Sequence, residues 1–131
     1  MTRSILLPFV LLSFAAFAAA PAPGSVEESV RESLRLLRDG KVDQFISDWC
    51  DPAKCTANNM ADLREFSIAR AQHDAGACLH APDDSITVSK IKGDPAKDES
   101  ITVYIECEGR MPVPSTSKKV DGKWKLTSWS W

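Results

Sequence analysis

The chain has 131 residues, of which 44% are hydrophobic and 26% charged, and its formal net charge is −2 at pH 7. A chain of this length forms one small domain with one modest hydrophobic core. The charge is low and mixed in sign, so it gives no basis for a nucleic-acid partner. We therefore expect a single globular domain that binds no nucleic acid.

The first residues have the pattern of a cleaved export signal. Arg3 precedes an apolar run from Ile5 to Phe17, which has the length of the apolar part of a signal peptide and is too short to span a bilayer as a helix. Small residues at Ala16 and Ala18 favour cleavage after Ala18, with an uncleaved anchor as the alternative. We therefore expect a periplasmic or secreted protein without a membrane span after cleavage. The predicted division is a signal peptide at 1–18, a flexible leader at 19–24 and a single domain at 25–131.

Four cysteines follow the apolar run, at Cys50, Cys55, Cys78 and Cys107. An even number in a small exported domain indicates two disulfides, and three pairings are possible. A turn at Asp51-Pro52 favours a local bridge between Cys50 and Cys55, which leaves Cys78 to pair with Cys107. A zinc site is disfavoured, because no C-x2-C pair is present and exported cysteines are mostly oxidised.

The clearest helix of the chain is predicted to begin at Ser25. Ser25 and Glu28 form a capping box, in which each side chain bonds the other residue's amide. Gly40 supplies the stop. The residues between them recur at helical spacing and form one apolar stripe. The members of this stripe are Val26, Val30, Leu34, Leu36 and Leu37.

Two further helices are predicted before the first strand. The second runs from Val42 to Cys50 and ends at Asp51-Pro52, because the residue before a proline disfavours the helical conformation. The third begins with Asn59 as its cap and closes near Gly76, although its apolar side is poorly defined.

After Pro82 the period of the pattern changes from helical to alternating. A short β-branched segment runs from Ser85 to Ile91, and apolar residues alternate with polar ones from Ile101 to Cys107. Asp121-Gly122 is a strong signal for a tight hairpin, with the last strand starting at Lys123.

Two prolines limit the backbone pairing of the remaining predicted strand. Pro112 and Pro114 are two residues apart, so both missing amide donors lie on the same side of an extended chain. We therefore expect the segment from Met111 to Val120 to be an edge strand, or a lead-in that pairs only after Ser115.

This succession of elements resembles the NTF2-like superfamily of cone-shaped α+β proteins. The segment that ends the chain's predicted sheet is part of the resemblance: Val120-Asp121-Gly122-Lys123-Trp124-Lys125-Leu126. The opening is also similar to that family's first helix, glycine break and second helix: Val30 to Leu37, then Asp39-Gly40-Lys41-Val42-Asp43-Gln44-Phe45. The resemblance implies an α+β fold in which three N-terminal helices pack on a curved four-stranded antiparallel sheet and leave a cavity. The superfamily includes isomerases, dehydratases and binding domains, so the fold alone does not decide the function.

Enzymes of this superfamily usually place an Asp or His base beside a Tyr in the cavity. Tyr104 is the one tyrosine of the chain, and it alternates with Ile101, Val103 and Ile105, so we expect it to face away from the cavity. His73 and His80 flank Gly76 and cannot share a helical face, which disfavours a metal site. We therefore expect no catalytic residue, metal or cofactor. The candidate bases are Asp48, His73, His80, Asp83 and Asp84.

Tryptophan is abundant for so short a chain and marks the candidate contacts: Trp49, Trp124, Trp129 and Trp131. Trp124 shares a strand face with Leu126, and the terminal pair shares the other face. The pair either covers the sheet or forms an exposed contact. Our hypothesis is a non-catalytic exported domain that binds a small apolar molecule or a protein partner. The alternative is a small isomerase or dehydratase that uses the cone cavity.

Overall fold

A computed structural model describes residues 20–73 and 78–128. The predicted signal peptide, Gly76 and the terminal Trp129 and Trp131 lie outside these residues. The fold is α+β, with helices and one four-stranded antiparallel sheet. The helices are α1 (Val26–Arg38), α2 (Val42–Trp49), α3 (Met60–Asp62) and α4 (Ala69–His73), with a π-helix (Leu63–Ile68) between α3 and α4. The strands are β1 (Thr87–Lys92), β2 (Ser100–Glu106), β3 (Val113–Val120) and β4 (Lys123–Ser128).

The predicted caps of α1 are present, with one change of partner. The Ser25 hydroxyl accepts the amide N–H of Glu28 at 3.2 Å, as expected. The Glu28 carboxylate accepts the N–H of Gly24 at 2.6 Å rather than that of Ser25, which draws the leader against the helix start. Gly40 has a φ of +74°, the left-handed conformation that a helix stop requires. The whole predicted apolar stripe of α1 is buried.

The third helical segment differs most from the sequence prediction. It is three short pieces, and the six residues of the π-helix Leu63–Ile68 widen its middle. Asn59 is not a side-chain cap, because its backbone is already helical and its side-chain amide donates to the Lys54 carbonyl at 3.1 Å. A π-turn shifts residues around the helix axis, which explains why the apolar side is poorly defined in the sequence.

The sheet has the strand order β1-β2-β3-β4, and all neighbouring strands are antiparallel. The prediction of β3 as an edge strand is wrong, since β3 lies between β2 and β4. The alternative, a lead-in that pairs only after Ser115, is wrong for the pairing with β2, because β3 pairs with β2 from Val113 onward. On the other side β3 pairs with β4 only from Thr116. Pro114 therefore limits pairing on one flank only.

Two turns depend on positive φ values. Asp121 and Gly122 have φ values of 51° and 77° between Val120 and Lys123, which pair, so the predicted tight hairpin is confirmed. Gly93 follows β1, and a Cβ there would lie 2.9 Å from Ile101 Cγ2. A side chain at this position would therefore displace a buried strand residue.

The core lies between α1, α2 and one face of the sheet. Val103, Ile105 and Leu126 are among its fully buried side chains. Just after α2, Cys50 forms a parallel bridge with Leu126, and the Asp51 N–H donates to the Leu126 carbonyl at 2.9 Å. These contacts cover part of the free edge of β4. Within residues 20–73 and 78–128, no helix is long and apolar enough to cross a membrane.

The two disulfides are Cys50–Cys55 and Cys78–Cys107, which confirms the favoured pairing. The first closes the turn after α2. The second joins a short 3-10 turn (Cys78–His80) to the residue that follows β2, so it ties the helical part of the chain to the sheet. Two bridges fit an oxidising environment.

We expect loss of Cys78–Cys107 to destabilise the protein more than loss of Cys50–Cys55. The longer bridge closes 29 residues of sequence separation and the shorter one 5. On the chain-entropy model the two contribute about 3.5 and about 2 kcal/mol. Denaturant midpoints of Cys78→Ser/Cys107→Ser and Cys50→Ser/Cys55→Ser measure this, and equal losses would contradict the loop-length argument.

Candidate functional site

A groove of about 250 Å³ lies between the N-terminal part of helix α1 and the start of strand β1. Its floor is apolar, formed by the buried Val30 and Ile86 and the half-buried Val88. We call it the α1–β1 groove. Its remaining lining residues are polar or lie at the rim: Pro21, Glu27, Arg31 and Thr87. An apolar floor with a few polar groups around it is the usual form of a small-molecule site.

A bulge in β1 positions this floor. Val88 pairs with Ile105 and Lys90 with Tyr104, so Ser89 is the extra residue on the edge strand. Because of it, Val88 and Ile91 both pack against the core although they are three residues apart. The bulge thus keeps Val88 turned toward α1.

A charged cleft of about 430 Å³ adjoins the groove and shares Pro21 and Arg31 with it. In this cleft Arg35 pairs with Glu32 at 2.5 Å. Arg31 makes no salt bridge among the residues that the structure describes. Its guanidinium, between an apolar floor and a charged cleft, can bind an anionic group.

Asp83, one of the candidate bases, is held by an arginine. Arg38 Nη1 lies 2.6 Å from Asp83 Oδ1. This hydrogen bond lowers the pKa of Asp83 and raises the pKa of Arg38. Asp83 is therefore a carboxylate at neutral pH with its charge already compensated, which makes it a poor proton acceptor.

The other candidate bases lie apart in local contacts of their own. Asp48, late in α2, accepts the Ser47 hydroxyl at 3.1 Å. A ring nitrogen of His80 lies 2.8 Å from the Gln72 carbonyl, and His73 is exposed at the end of α4. The side chain of Asp84 is not among those that the structure describes. Among the described residues no group of three or more His, Cys, Asp or Glu side chains could hold a metal ion.

Tyr104 faces away from the helices, as its strand pattern predicts. Its neighbours Val103 and Ile105 are buried, whereas Tyr104 is half-buried on the opposite face. The ammonium groups of Lys90 and Lys92 lie 5.8 and 5.4 Å from its ring centroid. Its ring therefore takes part in cation–π contacts on the outer face of the sheet.

Two of the four tryptophans, Trp49 and Trp124, lie among the described residues and pack against the rest of the domain. Trp124 is only 4% exposed, and the Lys119 ammonium lies 4.9 Å from its ring centroid. Trp49 is half-buried at the end of α2, with the Lys123 ammonium 3.9 Å from its ring centroid. Their predicted role in ligand or partner contact stays a prediction.

Trp129 and Trp131 lie outside the described residues and come after Ser128 in the chain. Ser128, the last described residue, helps to line a polar hollow of about 330 Å³. Its walls come from the residues after α2, the helical segment beyond them and the end of β4: Lys54, Asn59, Asp62, Leu63, Ser67, Thr127 and Ser128. The hypothesis that the terminal pair forms a contact stays a prediction.

The lining of the α1–β1 groove was not identified from the sequence. In the sequence Val30 belongs to the apolar stripe of α1 and Ile86 and Val88 to a short predicted strand, and no local pattern links the two segments. Only the tertiary fold places the start of α1 beside β1. The half-buried Pro21, in a leader expected to be flexible, lies at the rim of the same groove.

We expect Asp83→Asn to reduce stability by at most about 1 kcal/mol at neutral pH, because both partners are partly exposed. The pKa of Asp83 is lowered by folding, so its contribution is present above the ordinary aspartate value of about 3.9 and is lost as the pH falls through the folded-state value. Denaturant midpoints of the variant and the wild type should therefore differ at pH 7 and converge in acid. A gap that widened in acid would contradict this account.

We expect Tyr104→Phe to leave the binding properties of the α1–β1 groove unchanged, since the lost hydroxyl is on the opposite face of the sheet. Titration with an apolar dye and the denaturant midpoint of the variant measure this. If the substitution abolished function while the fold stayed intact, the isomerase or dehydratase alternative would be favoured.

Comparison with known proteins gives no family assignment: no family model, curated protein or solved structure matches this chain. The resemblance to the NTF2-like superfamily therefore stays a prediction. Among the hollows lined by described residues, the α1–β1 groove combines an apolar floor with a polar rim and is the candidate site.

Proposed function

We propose that this protein is an exported, non-catalytic domain that binds a small, mainly apolar molecule in the α1–β1 groove. The observation that carries the proposal is the groove's apolar floor of Val30, Ile86 and Val88 beneath a polar rim. A ligand there would bury its own apolar surface and that of the half-buried Val88 against the already buried Val30 and Ile86, which is the main source of affinity in such sites.

The proposed ligand has one polar or anionic end. Arg31 is at the rim and is free of salt bridges among the described residues, so it would orient such a group. Glu27 lines the same groove and disfavours a ligand with more than one negative charge. An amphiphile with a single carboxylate or sulfonate suits this arrangement.

Two side chains that could serve as catalytic groups, Asp83 and Tyr104, are engaged elsewhere, which favours a binding role over a catalytic one. Asp83 is ion-paired with Arg38, and Tyr104 makes cation–π contacts with lysines on the opposite face of the sheet. Neither lines the α1–β1 groove.

Export and the NTF2-like fold belong to the same proposal. The apolar run from Ile5 to Phe17 supports a cleaved signal, and the disulfides Cys50–Cys55 and Cys78–Cys107 support an oxidising destination, periplasmic or secreted. In the NTF2-like reading, three N-terminal helices cover a curved sheet. The groove is then the remnant of the cavity at the cone's open end.

The test is a groove-filling substitution, Val88→Phe, with Val113→Phe as its matched control. Both valines are half-buried against the core, and both pair with Ile105, but only Val88 lines the groove. The probe is anilinonaphthalene sulfonate, which has apolar rings and one anionic group. We expect Val88→Phe to weaken dye binding by about tenfold or more, since the added ring occupies the space of the ligand.

Val113→Phe should bind the dye as the wild type does. Equal affinity of wild type and Val88→Phe, or equal losses in both variants, would refute the groove as the binding site. Circular dichroism and denaturant midpoints measure whether both variants keep the fold, as we expect.

A further inference from the structure

The four strands are strongly basic, although the chain as a whole carries a formal charge of −2. They contain six lysines and one carboxylate, Glu106, and no arginine. The described salt bridges of α1 and α2 instead use arginine, as in the pairs Arg35–Glu32 and Arg38–Asp83. Basic charge is therefore divided between the layers, with arginines on the helices, of which Arg35, Arg38 and Arg64 are paired, and lysines in the sheet.

Strand register places five of these lysines on the outer face, although the ammonium group of one of them, Lys123, lies over the Trp49 ring at the end of α2. Lys90 and Lys92 on β1 are opposite Tyr104 and Thr102, which alternate with buried residues of β2 and so point away from the helices. The ammonium groups of both lysines lie within 5.8 Å of the Tyr104 ring centroid, so they converge on this face.

Lys118 and Lys125 are directly opposite each other, and the Lys125 ammonium also donates to the Ser47 carbonyl of α2 at 3.4 Å. Ser100 on β2 pairs with Lys118 on β3, and Lys118 pairs with Lys125 on β4. Like charges in opposite positions of neighbouring strands destabilise a sheet. None of the described salt bridges involves Lys90, Lys92, Lys118 or Lys125. An anionic partner would relieve this repulsion.

The centre of this surface is uncharged and rich in hydroxyl groups. Thr102 pairs with Thr116, and Thr116 pairs with Ser128, between the two groups of lysines. Neighbouring strands are about 4.8 Å apart, so the lysines of β1 and β4 are separated by roughly 15 Å of sheet. We call this surface, with Lys90, Lys92, Lys118 and Lys125 around Thr102, Tyr104 and Thr116, the lysine face.

We propose that the lysine face docks the protein electrostatically on a bilayer rich in anionic phospholipid. Charge complementarity favours this occupant, because a broad sheet face can lie parallel to a plane of negative head groups. The choice of lysine supports it as well. Arginine suits fixed bidentate contacts, whereas lysine is a mobile point charge that needs no fixed partner geometry. Each lysine near such a surface strengthens attachment, and the attachment is sensitive to salt.

The experiment compares binding to vesicles of equal parts phosphatidylglycerol and phosphatidylcholine with binding to vesicles of phosphatidylcholine alone. The readout is the difference between the two vesicle types, and any contribution of Arg3 and the apolar run from Ile5 to Phe17 is the same in the wild type and in every variant. We expect wild-type protein to sediment with the anionic vesicles at low salt and to be released as the salt concentration rises.

The test variant is Lys90→Gln/Lys92→Gln/Lys118→Gln, which removes three exposed lysines of the face. We expect it to lose about a hundredfold in affinity for the anionic vesicles. The matched control is Lys41→Gln/Lys54→Gln/Lys97→Gln, which changes the net charge equally at exposed lysines outside the four strands. It should retain wild-type binding, as should Lys90→Arg/Lys92→Arg/Lys118→Arg.

Three results would overturn the proposal. Wild-type protein could bind both vesicle types equally, or the control could lose as much affinity as the test variant, which would indicate net charge alone. The lysine face could also bind an acidic polysaccharide such as polygalacturonate, or polyglutamate, while ignoring the vesicles. The partner would then be a glycan or an acidic protein. Unchanged dye binding in the test variant keeps this outcome separate from that of the α1–β1 groove.

Discussion

The structure depends on the burial of one face of the four-stranded sheet beneath α1 and α2. Leu34 and Leu37 of α1 and Phe45 of α2 share one cluster with Val103 and Leu126 of the sheet. Removing apolar side chains of this size from water contributes about 1.5–3 kcal/mol each, more than any surface ion pair of the molecule. The burial decides which side of every strand is inside, and hence what the outside presents.

The disulfides hold this arrangement at two of its margins. Cys78–Cys107 ties the helical part of the chain to the end of β2, and Cys50–Cys55 closes the turn that brings Asp51 against the edge of β4. A domain of this size has a limited core, so covalent links between layers matter more than they would in a larger protein. The turn closed by Cys50–Cys55 also covers part of the edge of β4, which would otherwise offer unpaired backbone groups.

Both proposed binding surfaces follow from the layer arrangement. The α1–β1 groove lies at the margin between the start of α1 and the edge strand β1, where Val88 is left half-buried beside the buried Val30 and Ile86. The lysine face is the side of the sheet that no described helix covers. One surface offers apolar contact and the other offers charge, so they can act on different partners at the same time.

Local signals in the sequence were sufficient for much of the fold. The α1 cap at Ser25 and stop at Gly40, the Asp121-Gly122 hairpin and the alternation in β2 were all predicted, because each depends on residues within one or two turns of chain. The Cys50–Cys55 clip was predictable for the same reason, and it left a single partner for Cys78.

The interior of β3 shows why other features were not predictable. Ser115 and Ser117 are almost fully buried, although nothing in their polar pattern marks an inward face. Their burial is imposed by pairing with Val103 and Ile101 of the neighbouring strand. The same limit applies to the π-helix Leu63–Ile68, which has no signature in the chain.

By itself, then, the sequence determined the α+β class, most of the main elements and the outward direction of Tyr104, which depend on local periodicity, and it favoured one of the three possible disulfide pairings. Only the tertiary structure decided that β3 is central, that α1 and β1 form a groove, and that lysines from three strands share one face. These features arise from contacts between residues far apart in the chain. They depend on how strands register and layers pack, which no local pattern encodes.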